Sequence, residues 1–198
     1  MTERAQVIMS WWGLIMMFIY GFTLWLGFDM VPPPTPKLGA EEVAAFYATD
    51  NLSKRMAAMI CSWTSAFMVP IYTVASIQIA RFEDNLQAWS KLCLISGGMM
   101  ALFLMLPPLF WGVAAYSPDR PAEITTLMHE LGMMTLVTTD QVYIFAMVAI
   151  GYVSLSRREH DALSAFPRWI GYFTLFAAIA FEVGALAFIP KSGPFSWN

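Results

Sequence analysis

Five long apolar runs constrain the fold of this chain more than any other feature. Each is bounded by charges or prolines and is long enough to cross the hydrocarbon of a bilayer as an α-helix, which takes about 20 residues. Because lipid offers no hydrogen-bond partners, each run must satisfy its own backbone, and none shows the alternation of a membrane β-strand. The sequence therefore predicts an all-α, polytopic transmembrane helical bundle in a single domain, residues 1–198. Its five spans are residues 7–28, 56–80, 92–116, 127–155 and 169–189.

The composition agrees with a membrane protein and excludes several alternatives. Charged residues make up 13% of the chain and the mean hydropathy is +0.58, whereas soluble domains carry about 25% charged residues. The 11 Lys and Arg against 14 Asp and Glu offer no basic surface, so the partners expected are the lipid bilayer and other membrane-protein subunits, not nucleic acid. Cys61 and Cys93 lie inside apolar runs and read as small buried hydrophobic residues.

The amino-terminal run is predicted to be the first span, and the loop after it is predicted to lie outside the membrane. No Ala-x-Ala cleavage site follows the first run, which predicts a spanning helix rather than a removed signal peptide. Residues 31–55 form a Pro-rich external loop that leaves the membrane in an extended conformation. Within it, Ala40–Ala48 has one apolar side and acids in its first turn, which predicts a short helix that lies on the membrane surface or caps the bundle. A packed lid is favoured over a partner-docking role.

Loop cations predict the orientation. With the amino terminus inside, six cations fall on the inner side and five on the outer side, which is a weak bias. The tightest cluster, Arg157, Arg158 and Arg168, brackets one short loop, and such clusters resist translocation. The sequence therefore predicts a multi-pass protein of the cell inner membrane with a cytoplasmic amino terminus.

Prolines and glycines inside the runs predict local features. Pro70, Pro107 and Pro108 should bend their helices, and neighbouring helices must supply the hydrogen bonds that are lost. Gly97 and Gly98 indicate close helix packing rather than a ligand site.

The fourth run carries polar residues whose burial in the hydrocarbon layer costs free energy. A carboxyl near the middle of a span costs several kcal/mol unless it is protonated, paired or faces a wet cavity. On one continuous helix, His129, Asp140 and Tyr143 share a stripe, with Glu130 and Gln141 on the adjacent stripe. His129 is expected about 16 Å outward of Asp140, near the external interface.

Glu182 belongs to the fifth run at a depth similar to that of Asp140. Two neighbouring carboxyls in a low dielectric do not both ionise, so one should carry a proton. The alternative is that each is separately satisfied and merely holds helices together. The predicted ligand-binding or polar cavity comprises His129, Glu130, Asp140, Gln141, Tyr143 and Glu182.

Other chemistries find little support in the residues. The HELG segment at His129 lacks the second histidine of a zinc-binding HExxH motif. A haem held by two histidines would need both in the membrane, and His160 lies in a loop, although a single-histidine site stays open. No phosphate loop, serine-nucleophile motif or Cys–His pair is present. We therefore expect no enzyme, no catalytic residues and no metal site, and the cofactor is unknown.

Three segments carry a resemblance to a known group of proteins. The loop PPPTPKLGAEEVAAFY, the motif FPRWIGY at residues 166–172 and the carboxyl-terminal KSGPFSWN together resemble a group of uncharacterised bacterial multi-span integral membrane proteins with no assigned activity. The resemblance implies a compact helical bundle with a Pro-rich external loop and one further helix after the GPFSWN turn. The expected number of spans is accordingly five, or six if the native chain continues beyond Asn198.

Two function classes follow. The first is a non-catalytic structural or accessory subunit of a larger membrane complex, favoured by the small size and by 15 Met and 15 Phe for packing against lipid or partners. The second is a small-molecule or proton-linked binding or transport protein with a polar cavity around Asp140 and Glu182. Many transporters contain an inverted repeat, and the five spans of this chain do not show one. We therefore favour the first class.

Overall fold

The computed structural model describes residues 2–83, 85–156, 166–190 and 193. Within these residues all regular secondary structure is helical, and five helical stretches are long and apolar enough to cross a membrane. The prediction of an all-α, five-span bundle is confirmed, and the chain is a multi-pass membrane protein. The spans are Glu3–Gly27, Asn51–Ala80, Ala88–Tyr116, Ala122–Ser156 and Arg168–Phe188.

The described part of the chain contains eight α-helices, of which all but α2 belong to the five spans. They are α1 Glu3–Phe22, α2 Ala40–Ala48, α3 Asn51–Thr64, α4 Met68–Ala80, α5 Ala88–Tyr116, α6 Ala122–Thr138, α7 Gln141–Ser156 and α8 Arg168–Glu182. A π-helical turn, Thr23–Gly27, extends α1, and a 3₁₀ turn, Ser65–Phe67, joins α3 to α4. A second 3₁₀ segment, Val183–Phe188, extends α8. The second span is therefore α3 with α4, and the fourth is α6 with α7.

Spans that follow one another in the sequence pack side by side. Helix α1 lies against α3 and α4, and α5 lies against α3 and α4 on one side and α6 and α7 on the other. Helix α8 packs on α7, while its 3₁₀ extension contacts α6. The third span is consequently the most buried, and the first and fifth are the least buried.

The predicted spans end within one residue of the observed spans. They begin one to five residues later than the observed spans. The reason is that helices begin in polar residues that hydropathy does not count. At the start of α5, the Glu83 carboxylate accepts hydrogen bonds from the amide N–H groups of Trp89 (2.6 Å) and Ser90 (2.8 Å). These amides have no partner inside the helix, so the capping carboxylate lies outside the apolar run.

The expected compensation by a neighbouring helix is present at Pro108. Pro108 has no N–H to donate to the Leu104 carbonyl one turn earlier. The Tyr20 hydroxyl of the first span donates to that carbonyl instead, at 2.7 Å. Pro70 likewise follows the 3₁₀ turn Ser65–Phe67, where the regular α-helical pattern of the second span is interrupted. Neighbouring helices thus compensate for a lost backbone donor.

Several predicted features lie outside the described residues. These are Arg157, Arg158 and His160 of the loop between the fourth and fifth spans, and all of KSGPFSWN except Gly193.

Candidate functional site

The fourth span is interrupted between α6 and α7, at Thr139 and Asp140. The Thr138 and Thr139 side chains each donate to a backbone carbonyl one turn earlier, at 2.6 Å. The Asp140 carbonyl then accepts from the amide N–H groups of Tyr143 (2.8 Å) and Ile144 (3.2 Å), which starts α7. Threonine back-bonding of this kind competes with the helical pattern. The polar residues of the span therefore do not follow the single continuous stripe that the sequence predicts.

Ser96 of α5 inserts into the first turns of α7. Its hydroxyl donates to the Val142 carbonyl and accepts from the amide N–H of Ala146, at 3.0 Å. In a regular helix, the amide of residue 146 would donate directly to the carbonyl of residue 142. A side chain inserted into this ladder is a recognised cause of helix distortion. The irregular part of the span is therefore held by the neighbouring span.

Asp140 is buried at the interruption, with 5% of its surface exposed. Its Oδ1 atom has no hydrogen-bond partner among the described residues. The 3₁₀ segment Val183–Phe188 covers it, because a Cβ built on Gly184 would lie 2.2 Å from the Val137 carbonyl oxygen and 3.7 Å from Asp140 Oδ2. An unpaired buried polar group costs free energy. Asp140 therefore differs from the neighbouring Thr138 and Thr139, whose hydroxyls are satisfied by the backbone.

Glu182 is the second carboxyl at this depth. It lies six residues before the fifth span ends at Phe188, next to the 3₁₀ segment that covers Asp140. On α8 it continues the stripe of Gly171 and Ala178, two buried residues on the side facing α7. Unlike them, Glu182 is exposed. Of the two carboxyls, the bundle encloses Asp140 and leaves Glu182 exposed.

Tyr143 links the interruption to the second and fifth spans. Its hydroxyl accepts a hydrogen bond from the Tyr72 hydroxyl of α4. Its ring lies edge-on to that of Phe181, with centroids 6.1 Å apart. Three spans therefore meet around this side chain, one turn of helix below Asp140.

His129 belongs to a different cluster, under α2. It is 2% exposed, and its Nδ1 atom is 2.9 Å from the Tyr47 hydroxyl of α2. The Trp111 indole N–H donates to the His129 backbone carbonyl at 3.4 Å. The Nε2 atom of His129 has no partner within the described residues. Helix α2 therefore caps the bundle as a packed lid over this histidine.

Polar groups at the start of α3 hold the lid from the other side. The buried Lys54 donates from Nζ to the Thr49 carbonyl at 2.7 Å and lies 4.4 Å from the centre of the Phe46 ring. The Asn51 side-chain amide donates to the Tyr47 carbonyl at 3.1 Å. A cation over an aromatic ring adds attraction in a partly desolvated site.

Four of the six predicted site residues thus fall in two places. Asp140 and Tyr143 lie at the interruption with Glu182 beside the segment that covers it, and His129 lies under the lid. Glu130 and Gln141 are half-buried and make no side-chain hydrogen bond within the part of the chain that the structure describes. Ser96, Gly184 and Tyr47 were missed as site residues, although a serine or glycine in an apolar run is a signal for close helix contact.

No three His, Cys, Asp or Glu side chains of the described residues are grouped so that they could hold a metal ion. Comparison of the chain with protein-family models, curated proteins and solved structures finds no match.

The lid contact predicts a response to alkaline pH. Burial raises the pKa of the Tyr47 hydroxyl well above its ordinary value of 10.0. The neutral hydroxyl stabilises the docked lid fully below about pH 10, and this stability is lost above it, by about 1.4 kcal/mol per pH unit, because only a released Tyr47 ionises. We expect the melting temperature of the wild type to fall more steeply between about pH 10 and 11.5 than that of Tyr47→Phe. Parallel curves would contradict this, since all other groups titrate in both proteins.

Proposed function

We propose that the protein is a non-catalytic structural or accessory subunit of a larger complex in a bacterial inner membrane, and that it contacts its partner through the fifth span. One observation carries the proposal, the exposed carboxyl of Glu182. At 1.5 Å per residue it lies about 21 Å from Arg168, within a hydrocarbon layer about 30 Å thick. A carboxyl left to lipid there costs several kcal/mol. A hydrogen-bond donor on an adjoining subunit removes that cost.

The rest of the fifth span fits a contact surface. Ile179 and Phe176 are 73% and 70% exposed, on the outer side of α8. In the proposed orientation the amino terminus is cytoplasmic, with Arg4, Arg81 and Lys91 on the inner side, as the positive-inside rule favours. Helix α2 and the Pro-rich loop then face outward.

A second candidate function is supported by a separate observation, the unpaired Oδ1 atom of Asp140. Interrupted helices with exposed backbone groups form the ion and substrate sites of many transporters. In a proton-linked binding or transport protein, a proton rather than a partner would neutralise Glu182. The two candidate functions therefore differ in what neutralises the Glu182 carboxyl. In the first it is a hydrogen-bond donor of a partner subunit, and in the second it is a proton.

Native mass spectrometry of membranes solubilised in a mild detergent tests the first candidate. We expect the wild type in a complex of defined mass with at least one other polypeptide. Glu182→Gln should reduce the complex about tenfold, which corresponds to about 1.4 kcal/mol for a lost charge-assisted contact. The matched control is Glu41→Gln, the same change at an exposed residue of α2, which should leave the complex intact.

Labelling with a hydrophobic carbodiimide separates the two candidates, because this reagent reacts with protonated carboxyls in apolar surroundings. A monomeric wild type labelled at Glu182, with the label increasing as pH falls and changed by Asp140→Asn, would contradict the subunit proposal and support the proton-linked function. A complex in which Glu182 resists the reagent supports the subunit proposal.

A further inference from the structure

A groove runs along the membrane-facing side of the bundle between α3 and α5. Its volume is about 460 Å³. The two helices touch at its floor, where a Cβ built on Gly112 would lie 2.6 Å from the Ala58 Cβ. Its walls are apolar side chains, mainly Leu52, Met56, Met59, Pro108, Leu109 and Val113. Apolar walls of this kind suit an acyl chain.

Two arginines lie at one end of the groove. Arg55 lines it, with its guanidinium 5.3 Å from the centre of the Tyr116 ring. Arg120 donates from Nη1 to the carbonyl of Val113, a wall residue, at 3.1 Å. Tyr116 is the last residue of α5, and Arg55 lies about one turn inside the start of α3 at Asn51. The arginines are therefore at the level of the lipid headgroups.

The arginines keep their charge available for a ligand. Within the described residues, the contact of Arg55 is an aromatic ring and that of Arg120 is a backbone carbonyl, and neither guanidinium is paired with a carboxylate. Guanidinium groups suit phosphate oxygens because they offer several donors in a planar arrangement. An arginine near the membrane surface attracts anionic lipid headgroups by about 1 kcal/mol.

We propose that this groove binds an anionic phospholipid, with an acyl chain along the apolar walls and the phosphate group between Arg55 and Arg120. The site uses neither Glu182 nor α8, so it stands or falls independently of the subunit proposal.

A second groove on the other face of α3 provides an internal comparison. It lies between α3 and the end of the first span, has a volume of about 640 Å³, and shares Leu52 and Met56 with the first groove. None of its lining residues is a cation. Its apolar lining suits an acyl chain, but it offers no cation that would favour an anionic headgroup. The structure therefore assigns headgroup selection to the groove that Arg55 lines.

The test uses native mass spectrometry of the purified protein with equal amounts of phosphatidylglycerol and phosphatidylcholine that carry the same acyl chains. We expect the wild type to retain more phosphatidylglycerol. Arg55→Gln and Arg120→Gln should each lower phosphatidylglycerol binding about fivefold, which corresponds to about 1 kcal/mol per arginine at the headgroup level. Neither change should lower phosphatidylcholine binding as much.

Two further variants complete the experiment. Arg81→Gln removes an exposed arginine at the other side of the membrane and should not alter lipid retention. Val113→Trp fills the groove from a wall position and should reduce the binding of both lipids. Equal retention of the two lipids by the wild type, or an equal loss in Arg81→Gln, overturns the proposal. If Arg120→Gln unfolds, Arg55→Gln decides the test alone, because Arg55 is exposed and its contact is one ring.

Discussion

Replacing Gly97 by alanine is expected to lower the free energy of unfolding by about 3 kcal/mol, the upper part of the range for overpacked cores. A Cβ at this position would lie 2.1 Å from Cγ and 2.6 Å from Cβ of Tyr72. These atoms are close to the Tyr72 backbone, so the ring cannot swing aside and α4 must move away from α5. The Tyr72 hydroxyl donates to Tyr143, so the same movement would break the link between the second and fourth spans.

The neighbouring glycine is the matched control. No atom lies within 4 Å of a Cβ built on Gly98. Gly98→Ala should therefore be neutral or raise stability by up to about 1 kcal/mol, because alanine favours the helix. Reversible unfolding in mixed micelles measures both variants. Equal destabilisation by the two changes would show that Tyr72 does not pack on Gly97 as described.

Gly184→Ala is expected to have a similar effect at the candidate site, again about 3 kcal/mol. Its Cβ would meet the Val137 carbonyl oxygen at 2.2 Å. That oxygen belongs to the backbone at the end of α6, so the 3₁₀ segment Val183–Phe188 must lift from the interruption. Asp140 would then lose its cover, and Glu182 would shift with the segment.

Hydrogen exchange in detergent micelles measures this result. We expect faster exchange of the amides around residues 138–146 in Gly184→Ala than in the wild type. Gly21→Ala is the control, since no atom lies within 4 Å of a Cβ built there. Unchanged exchange at the interruption, together with lower stability, would mean that the segment repacks elsewhere and does not cover Asp140.

The sequence by itself determined the all-α class and the number of spans. Long apolar runs leave a chain in lipid little choice but helices, because every backbone group must find its partner locally. The bounds of α2, Ala40–Ala48, were also predicted correctly, since acids in the first turn and one apolar side are local signals. The loss of a backbone donor at Pro108 was predictable for the same reason, as it depends on one residue alone.

Only the tertiary structure decided how the polar residues are grouped. Residues 127–155 read as one helix, because no proline or glycine stands at Thr139 or Asp140. The interruption involves a hydroxyl from another span, Ser96, and the close approach of Gly184. Such contacts depend on which helices are neighbours and on how closely they pack, and no local pattern encodes either. For the same reason, the sequence predicts one continuous stripe from His129 to Asp140, whereas the structure has two clusters. One cluster lies under the lid and the other at the interruption.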